Sequence, residues 1–253
     1  MPNWGIAILI FFTWPLWTDC QETGAALTRL LSNDTRLRDW PQLARYREAN
    51  RALPPAKPGE ARVVFMGDSI TDNWQQERFA FFVPAKPFVD RGISGQTTPQ
   101  MLVRFRPDVI DLKPKVVVIL AGTNDIAGNT GPMLDEDVER NLASMAELAK
   151  ANGIKVVMAS VTPTSAYHPP ANGGAPQTSL RPMVRIRAIN DWIEKYTADN
   201  GHVYLDYFTP MLDAAGVMKA ELTGDDLHPN AAGYAIMGPL VEAAIQRALS
   251  QTR

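Results

Sequence analysis

Two segments of the 253-residue chain carry residue types that could together hydrolyse an ester. Ser69 stands in the segment 67–71, GDSIT, directly after a short apolar run, and His228 stands in the segment 225–229, DDLHP. A serine hydroxyl is a weak nucleophile until a neighbouring base takes its proton, and histidine is a common base. A carboxylate beside that histidine holds the ring and stabilises its charged form. The two segments therefore predict nucleophilic catalysis by serine.

The candidates for the base are the three histidines of the chain. His202 opens a predicted strand and is expected to be structural. His168 lies in a proline-rich loop and could contact substrate, but no carboxylate is near it in the sequence. His228 follows Asp225 by three residues, so His228 is the predicted base and Asp225 the acid that orients it. Asp226 is the competing orienter, because the spacing alone does not exclude it.

Two further polar segments follow apolar runs of the chain. Residues 91–98 read RGISGQTT, and residues 122–125 read GTND. Where a strand turns into a helix, as predicted at Ser69, the first backbone N–H groups lack partners within the helix and the helix dipole favours a negative charge. Such groups can hold the oxyanion that forms when a carbonyl is attacked. Each segment alone is a weak signal, since many serines at helix starts only cap the helix.

The four segments need a scaffold that brings them together. Short apolar runs bounded by turn residues predict five buried strands: Val63–Met66, Phe88–Asp90, Val116–Leu120, Ile154–Val161 and Val203–Leu205. Apolar residues at helical spacing predict three intervening or following helices, with stripes that begin at Leu134, Ile186 and Met237. Strands that alternate with helices indicate an α/β fold with a parallel sheet covered on both faces. Ligands bind beyond the carboxyl ends of such strands, so we expect the four segments to meet there.

Several side chains near these segments are predicted to be structural. Asp68 and Asp125 are expected to hold turns through hydrogen bonds. Thr97 and Thr98 are predicted to begin a helix, because Pro99 suits a first helical turn. A group of aromatic residues is expected in the core rather than in an acyl pocket: Trp74, Phe79, Phe81, Phe82 and Phe88.

The segment Thr162–Pro182 is rich in Pro, Gly, Ser, Thr and Asn and follows the fourth predicted strand. Long loops at that end of a parallel strand commonly line binding sites, but a solvated surface insertion fits the composition equally well. Arg181, Arg185 and Arg187 form a small basic cluster at its end. We predict that the cluster is a solvated helix face, with binding of an anionic substrate as the alternative.

The composition excludes several classes of protein. The chain has 25 basic and 27 acidic residues, so it lacks the basic surplus that is usual in nucleic-acid binding proteins. One cysteine cannot form an internal disulfide, and no Cys/His spacing suggests a zinc site. A hydrophobic fraction of 45% excludes global disorder. These features indicate a globular protein and predict neither a metal nor a nucleic-acid partner.

In their order and spacing, the four segments resemble the diagnostic blocks of the SGNH hydrolases, also called GDSL-type esterases and lipases. The resemblance covers about residues 62–249. Within the family, the chain resembles the branch that contains platelet-activating-factor acetylhydrolase-like acyl esterases. The residues that give the family its name correspond to Ser69, Gly95, Asn124 and His228. The resemblance implies a three-layer α/β/α sandwich with a parallel, flavodoxin-like sheet of about five strands.

The resemblance also implies roles for single residues. Ser69, Asp225 and His228 would be catalytic, and the oxyanion hole would consist of the backbone N–H groups of Ser69 and Gly95 with the side-chain amide of Asn124. A glycine at position 95 suits this role, because a backbone without a Cβ can approach the substrate closely. Such a mechanism requires no metal and no cofactor.

The expected function is that of a serine esterase that hydrolyses carboxylic esters with short acyl chains. Its partner would be a small-molecule or carbohydrate ester, so a carbohydrate O-acetylesterase is one alternative, and a lysophospholipase or thioesterase is another. A non-catalytic binding protein with the same fold is the least favoured alternative, because it would not need the full set of site residues. A flavin-binding protein would place phosphate at the first strand–helix turn, where the carboxylate of Asp68 disfavours an anion.

The sequence predicts three regions: a signal peptide or N-terminal hydrophobic segment at 1–23, a helical N-terminal arm at 24–60, and the catalytic domain at 61–253. The apolar run 4–17 is too short to cross a bilayer but suits the core of a signal peptide, so we expect export to the periplasm or medium and no stable membrane anchor. Against this, the first basic residue is Arg29 and no strong cleavage site follows the run. A docked N-terminal helix is one alternative, and a lipid anchor on Cys20 is another.

Overall fold

A computed structural model of the chain describes Met1 and residues 39–251, except residues 77, 78, 80, 171 and 172. The chain divides into two compact units, Met1–Trp40 and Pro41–Arg253, and every helix and strand named below lies in the second. Apart from Met1, the hydrophobic segment predicted at 1–23 lies outside the described residues, and so does the predicted arm before residue 39. Within the described part of the chain, no helix is long and apolar enough to span a membrane.

The centre of the second unit is one parallel sheet with the strand order β2-β1-β3-β4-β5. The strands are β1 (Val63–Gly67), β2 (Phe88–Gly92), β3 (Val116–Leu120), β4 (Lys155–Ala159) and β5 (Val203–Leu205). The prediction of five parallel strands is confirmed, although β4 is shorter than the predicted Ile154–Val161. The chain runs from β1 outward to β2 and then returns to β3 on the other side of β1. Such a reversal opens a crevice at the carboxyl ends of the two central strands.

Helices cover both faces of the sheet. The described residues form eight α-helices: α1 (Arg47–Ala52), α2 (Ser69–Trp74), α3 (Thr98–Asp108), α4 (Thr123–Ile126), α5 (Asp135–Ala151), α6 (Gln177–Leu180), α7 (Met183–Asn200) and α8 (Ala231–Ser250). The three predicted apolar stripes fall in or at the start of α5, α7 and α8. Short 3₁₀ helices at Ile110–Leu112, Thr209–Met211 and Ala220–Leu222 complete the connections.

Alternate side chains of each strand point to opposite faces, so the sheet builds two cores. On one face, residues such as Val64, Val117 and Val156 pack against α3, α5 and α7. On the other, Phe65 and Val118 pack against α2 and α8. These two cores and the sheet between them are the predicted three-layer sandwich.

The aromatic residues after α2 lie in the second core, as predicted. Trp74 stacks on Phe81 with 4.0 Å between ring centroids and on Tyr234 with 5.1 Å. Phe65 meets Phe82 edge to face at 5.0 Å. This packing fixes α2 against α8, and α2 is the helix that begins at the candidate nucleophile.

Candidate active site

Ser69 lies at the turn between β1 and α2, and its hydroxyl is at the carboxyl edge of the sheet. Gly67 ends the strand, Asp68 caps the helix, and Ser69 is the first helical residue. The Oδ1 atom of Asp68 accepts a hydrogen bond of 2.9 Å from the backbone N–H of Ile70. Asp68 therefore holds the turn, as predicted. The backbone N–H of Ser69 has no partner within the helix, because it belongs to the first turn.

His228 links Ser69 to a carboxylate. Its Nε2 atom lies 2.9 Å from Oγ of Ser69, and its Nδ1 atom lies 2.6 Å from Oδ2 of Asp225. An ionised carboxylate can only accept, so Nδ1 carries a proton and donates a hydrogen bond to Asp225. Nε2 of the neutral ring then has a free lone pair and accepts the Ser69 hydroxyl. The three side chains form one continuous chain of hydrogen bonds.

The segment 223–228 holds Asp225 in place. Oδ1 of Asp225 accepts hydrogen bonds from the backbone N–H of His228 at 2.7 Å and of Leu227 at 3.1 Å, and from the hydroxyl of Thr223 at 3.2 Å. Burial raises the pKa of Asp225, but the hydrogen bonds from the ring and backbone of His228 outweigh it and hold that pKa well below its usual range. Asp225 is therefore ionised at neutral pH.

Besides Ser69, the two other candidate oxyanion donors follow β2 and β3 at the carboxyl edge of the sheet. Gly95 follows β2 with a φ of +80°, in the left-handed region that favours glycine, and it is exposed. Asn124 lies in α4 directly after β3 and is buried. One N–H of its side-chain amide donates to the carbonyl of Gln96 at 3.0 Å, which leaves the second N–H available.

Buried and partly buried carboxylates fix the loops that carry these donors. Oδ1 of Asp125 accepts from the backbone N–H of Thr98 at 2.9 Å and from its hydroxyl at 2.6 Å, so Asp125 joins α4 to α3 as a structural residue. Oδ2 of Asp72 accepts from the hydroxyl of Ser94 at 2.6 Å and joins α2 to the loop after β2. Burial raises the pKa of Asp68 to about 6, and the hydrogen bond from the backbone N–H of Ile70 opposes that rise.

Asp226 does not orient His228, because its side chain points to another segment. Its Oδ1 atom lies 2.9 Å from Nδ1 of His168 and 2.5 Å from the hydroxyl of Ser165, and Oδ2 accepts from the backbone N–H of His168 at 2.8 Å. His168, which has no carboxylate near it in sequence, therefore has one in space. Asp226 has a φ of +66°, in the left-handed region of backbone conformations. It joins the Thr162–Pro182 loop to the segment that carries His228.

The Thr162–Pro182 loop is not simply a solvated insertion. Its first residues, including Thr162, Thr164 and Ser165, are buried, while the part around Tyr167 is exposed. Its end returns to the site through α6 and Arg181. The structure thus favours the reading in which this loop borders the binding site.

The prediction of a solvated basic cluster is wrong for Arg181. Only 5% of Arg181 is exposed, and its Nε donates to the carbonyl and hydroxyl of Thr123 at 3.1 and 3.0 Å. Its Nη2 donates to Oδ1 of Asn124 at 3.3 Å. Arg185 is half-buried and pairs with Asp135. The prediction holds for exposed Arg187, whose guanidinium donates to a backbone carbonyl.

A second buried arginine was missed by reasoning from sequence. Arg104 is fully buried, and its guanidinium donates to Oε1 of Gln96 at 2.5 Å, to the carbonyl of Gly67 at 3.1 Å and to Asp108 at 3.1 Å. It therefore ties the end of β1 to the loop that carries Gly95. The spacing of Arg104 and Asp108 by four residues on α3 was the available signal, but an exposed helix pair has the same spacing.

His202 is part-buried near Tyr196, and burial lowers its pKa, which agrees with a structural role. Among the described residues, no group of three or more His, Cys, Asp or Glu side chains could hold a metal ion.

The sequence model of the GDSL-like Lipase/Acylhydrolase family matches residues 65–236, more than half of the chain. A GDSL-like lipase from Bacteroides thetaiotaomicron VPI-5482 is 40% identical, with a TM-score of 0.74 over 82% of this chain and 98% of that one. A second crystal structure, from Bacteroides fragilis NCTC 9343, is also 40% identical, with a TM-score of 0.76 over 83% of this chain and 98% of that one.

Matches to curated proteins are more distant or shorter. Platelet-activating factor acetylhydrolase IB subunit alpha2 from Homo sapiens is 26% identical over 203 residues, which are 78% of this chain and 82% of that protein. Esterase TesA from Pseudomonas aeruginosa is 38% identical over 81 residues, and lipoprotein YqeF from Bacillus subtilis is 38% identical over 78 residues. The matched part spans only 39% of the length of TesA and 32% of that of YqeF.

Proposed function

Because the chain belongs to the GDSL-like lipase/acylhydrolase family and is a carboxylic ester hydrolase, we propose that it cleaves small esters with short acyl chains through Ser69, His228 and Asp225. One observation carries this proposal. Nε2 of His228 lies 2.9 Å from Oγ of Ser69 while Nδ1 lies 2.6 Å from Asp225, so a nucleophile, a base and an orienting acid are already aligned.

The first half of the reaction forms an acyl-enzyme. Oγ of Ser69 forms a bond to the carbonyl carbon of the ester, and its proton moves to Nε2 of His228. The carboxylate of Asp225 stabilises the imidazolium and keeps Nδ1 protonated. When the carbon–oxygen bond of the ester breaks, the proton on Nε2 moves to the departing alkoxide, and an alcohol leaves.

The tetrahedral intermediate places a negative charge on the former carbonyl oxygen. The backbone N–H groups of Ser69 and Gly95 and the free amide N–H of Asn124 donate to that oxygen. Each such donor contributes about 3–4 kcal/mol to the stability of the transition state. Both Ser69 and Asn124 are held by short helices that start at the end of a strand, so the donors need little rearrangement when the charge develops.

Water completes the cycle. His228 accepts a proton from a water molecule as that water attacks the acyl carbon, and the same oxyanion donors hold the second tetrahedral intermediate. The bond to Oγ of Ser69 then breaks, the proton returns to Oγ, and a carboxylic acid leaves. No step needs a metal or a cofactor.

The surroundings of Ser69 support short acyl chains. The segments that carry the proposed oxyanion donors include Ser94, Gly95, Asn124 and Asn129, which are small or polar, and Nδ2 of Asn129 donates to the carbonyl of Gly95 at 3.1 Å. A long acyl chain gains binding energy only from apolar surface that it can bury. A short acyl group, such as acetyl, does not need that surface.

A substrate panel tests the proposal. The panel contains p-nitrophenyl esters from acetate to decanoate, an acetylated oligosaccharide, a lysophospholipid and an acyl thioester, with Ser69→Ala as the inactive control. We expect kcat/KM to be highest for acetate or butyrate and to fall with longer chains. A preference for the acetylated oligosaccharide over p-nitrophenyl acetate would assign a carbohydrate O-acetylesterase within the same mechanism. A maximum at decanoate or at the lysophospholipid would contradict the short-chain assignment.

A further inference from the structure

Arg181 is a buried cation that the proposed mechanism does not use. It lies between α6 and α7, and its side chain reaches the residues directly after β3. Its guanidinium has four hydrogen-bonding contacts: the carbonyl and hydroxyl of Thr123, Oδ1 of Asn124, and the side chain of Gln177. A buried arginine that only filled space would leave its donors unsatisfied at a high cost, so these contacts define its position.

The contact with Asn124 decides which way the amide of that residue faces. An arginine has donors and no acceptor, so it can only meet the oxygen of an amide group. With Oδ1 on Arg181 at 3.3 Å and Nδ2 on the carbonyl of Gln96 at 3.0 Å, a flipped amide would place an oxygen against a carbonyl and an NH₂ group against a cation. Both flipped contacts are repulsive. The amide is therefore fixed with its nitrogen on the side of the loop that carries Gly95.

The charge of Arg181 also acts on the site. Asp68 and Asp225 both favour the charged form of its guanidinium, although burial lowers its pKa. Arginine remains protonated in proteins, so this charge is permanent. The positive guanidinium that donates to Oδ1 of Asn124 polarises the amide and makes its N–H groups stronger donors.

Resting on the proposed function, we infer that Arg181 is a positioning residue, which locks the side-chain amide of Asn124 with its N–H toward the oxyanion. The hydrogen bonds of Arg181 go to Thr123, Asn124 and Gln177. Of these residues, only Asn124 is a proposed oxyanion donor, so Arg181 acts through it. The amide gains its full value only when the oxyanion forms, so the loss of Arg181 should lower kcat more than it changes KM.

A double-mutant cycle of Arg181→Met and Asn124→Ala, measured on p-nitrophenyl acetate, tests the inference. In the wild-type background, Arg181→Met should lower kcat by about 10- to 100-fold and change KM by less than about threefold. In the Asn124→Ala background, the same substitution should change kcat by less than about threefold, because the group it positions is already absent. Arg106→Met, on the exposed side of α3, is the matched control and should leave kcat unchanged.

A conservative variant keeps the test decisive if Arg181→Met folds poorly. Arg181→Lys retains the charge but cannot hold Thr123 and Asn124 with one planar fork, so its kcat should fall between those of wild type and Arg181→Met. Equal losses of kcat from the Arg181 substitutions in the wild-type and Asn124→Ala backgrounds would overturn the inference, and so would a wild-type kcat in Arg181→Met. Those results leave the triad intact as long as Ser69→Ala is inactive, whereas an active Ser69→Ala contradicts the proposed function itself.

Discussion

Nε2 of His228 lies 2.9 Å from Oγ of Ser69, although 159 positions of sequence separate the two residues. Ser69 stands where β1 meets α2, and His228 stands just before α8, which packs against the same face of the sheet as α2. The hydroxyl of Tyr234, in the first turn of α8, donates to the carbonyl of Ile70 in α2 at 2.7 Å. The alignment of the proposed nucleophile and base therefore depends on the packing of two helices.

The two adjacent aspartates should differ in their effect on catalysis. Asp225→Asn removes the charge that stabilises the imidazolium and disturbs the tautomer of His228, so kcat should fall by about 10² to 10⁴-fold. Asp226→Asn loosens the loop around His168 and should lower kcat by less than that. Steady-state kinetics on p-nitrophenyl acetate compares them. A larger loss of kcat in Asp226→Asn than in Asp225→Asn would show that Asp226, and not Asp225, orients His228.

The oxyanion donor on α4 gives a second prediction. Asn124→Ala removes one donor and should lower kcat by about 10² to 10³-fold with a small change in KM. The control is Asn152→Ala, at the exposed end of α5, where the side chain donates a hydrogen bond to the carbonyl of Leu148 in the same helix. Comparable kcat values for the two variants would exclude Asn124 from the oxyanion hole.

Gly92 allows β2 to approach α2 closely. A Cβ at this position would lie 2.2 Å from the backbone nitrogen of Asp72, and backbone at that distance must move. Gly92→Ala should therefore lower the free energy of unfolding by about 1–3 kcal/mol or more. At Gly224 a Cβ meets no atom within 4 Å, so Gly224→Ala serves as the control in urea unfolding. Equal stability of the two variants would show that the strand and helix can separate without cost.

Asp90 predicts a dependence of stability on pH. Burial raises its pKa to about 7, and its Oδ1 accepts a hydrogen bond of 2.6 Å from the backbone N–H of Gly92. The folded chain therefore holds a proton that the unfolded chain, with a pKa near 3.9, has released. Because of this difference, the contribution of Asp90 to the free energy of unfolding is largest below about pH 4. It declines by up to about 1.4 kcal/mol per pH unit as the pH rises to about 7.

Urea unfolding at pH 5 and pH 7 measures this effect. The free energy of unfolding should change less between the two values in Asp90→Asn than in wild type. Some dependence should remain, because the pKa of Asp68 is also raised, to about 6. Asp225 adds none in this range, since its pKa is lowered and its contribution is lost only in strong acid. Asp137→Asn, an exposed substitution on α5, should behave as wild type. The account of Asp90 fails if its variant shows the wild-type pH dependence.

Much of the fold and part of the candidate site could be predicted from sequence, because the strands and the contact between Asp225 and His228 depend on local patterns. Runs such as Val116–Leu120 are apolar, short, rich in β-branched residues and bounded by turns, and these properties together favour a buried strand. The spacing of Asp225 and His228 places both side chains in one turn, where they meet regardless of the rest of the chain. In the structure, Val116–Leu120 is a strand, and Nδ1 of His228 lies 2.6 Å from Oδ2 of Asp225.

The contacts that support the site could not be predicted, because they depend on tertiary packing. Asp226 contacts His168 across 58 positions of sequence, and its left-handed backbone conformation could not be read from the sequence either. Arginines are mostly exposed in proteins, so the sequence alone does not predict the burial of Arg181 and Arg104. Their burial follows from tertiary contacts: Arg104 donates to the carbonyl of Gly67 at the end of β1, and Arg181 donates to the carbonyl of Thr123 after β3.

The central claim is that Ser69 is the nucleophile, and covalent labelling tests it most directly. The protein is treated with a fluorophosphonate, digested and analysed by mass spectrometry, in parallel with Ser69→Ala and His228→Ala. We predict one adduct on the peptide that contains Ser69 in wild type, no adduct in Ser69→Ala, and much slower labelling in His228→Ala. The same two substitutions should lower kcat on p-nitrophenyl acetate by about 10⁴-fold or more. An adduct on a different residue, or wild-type turnover by Ser69→Ala, would contradict the account.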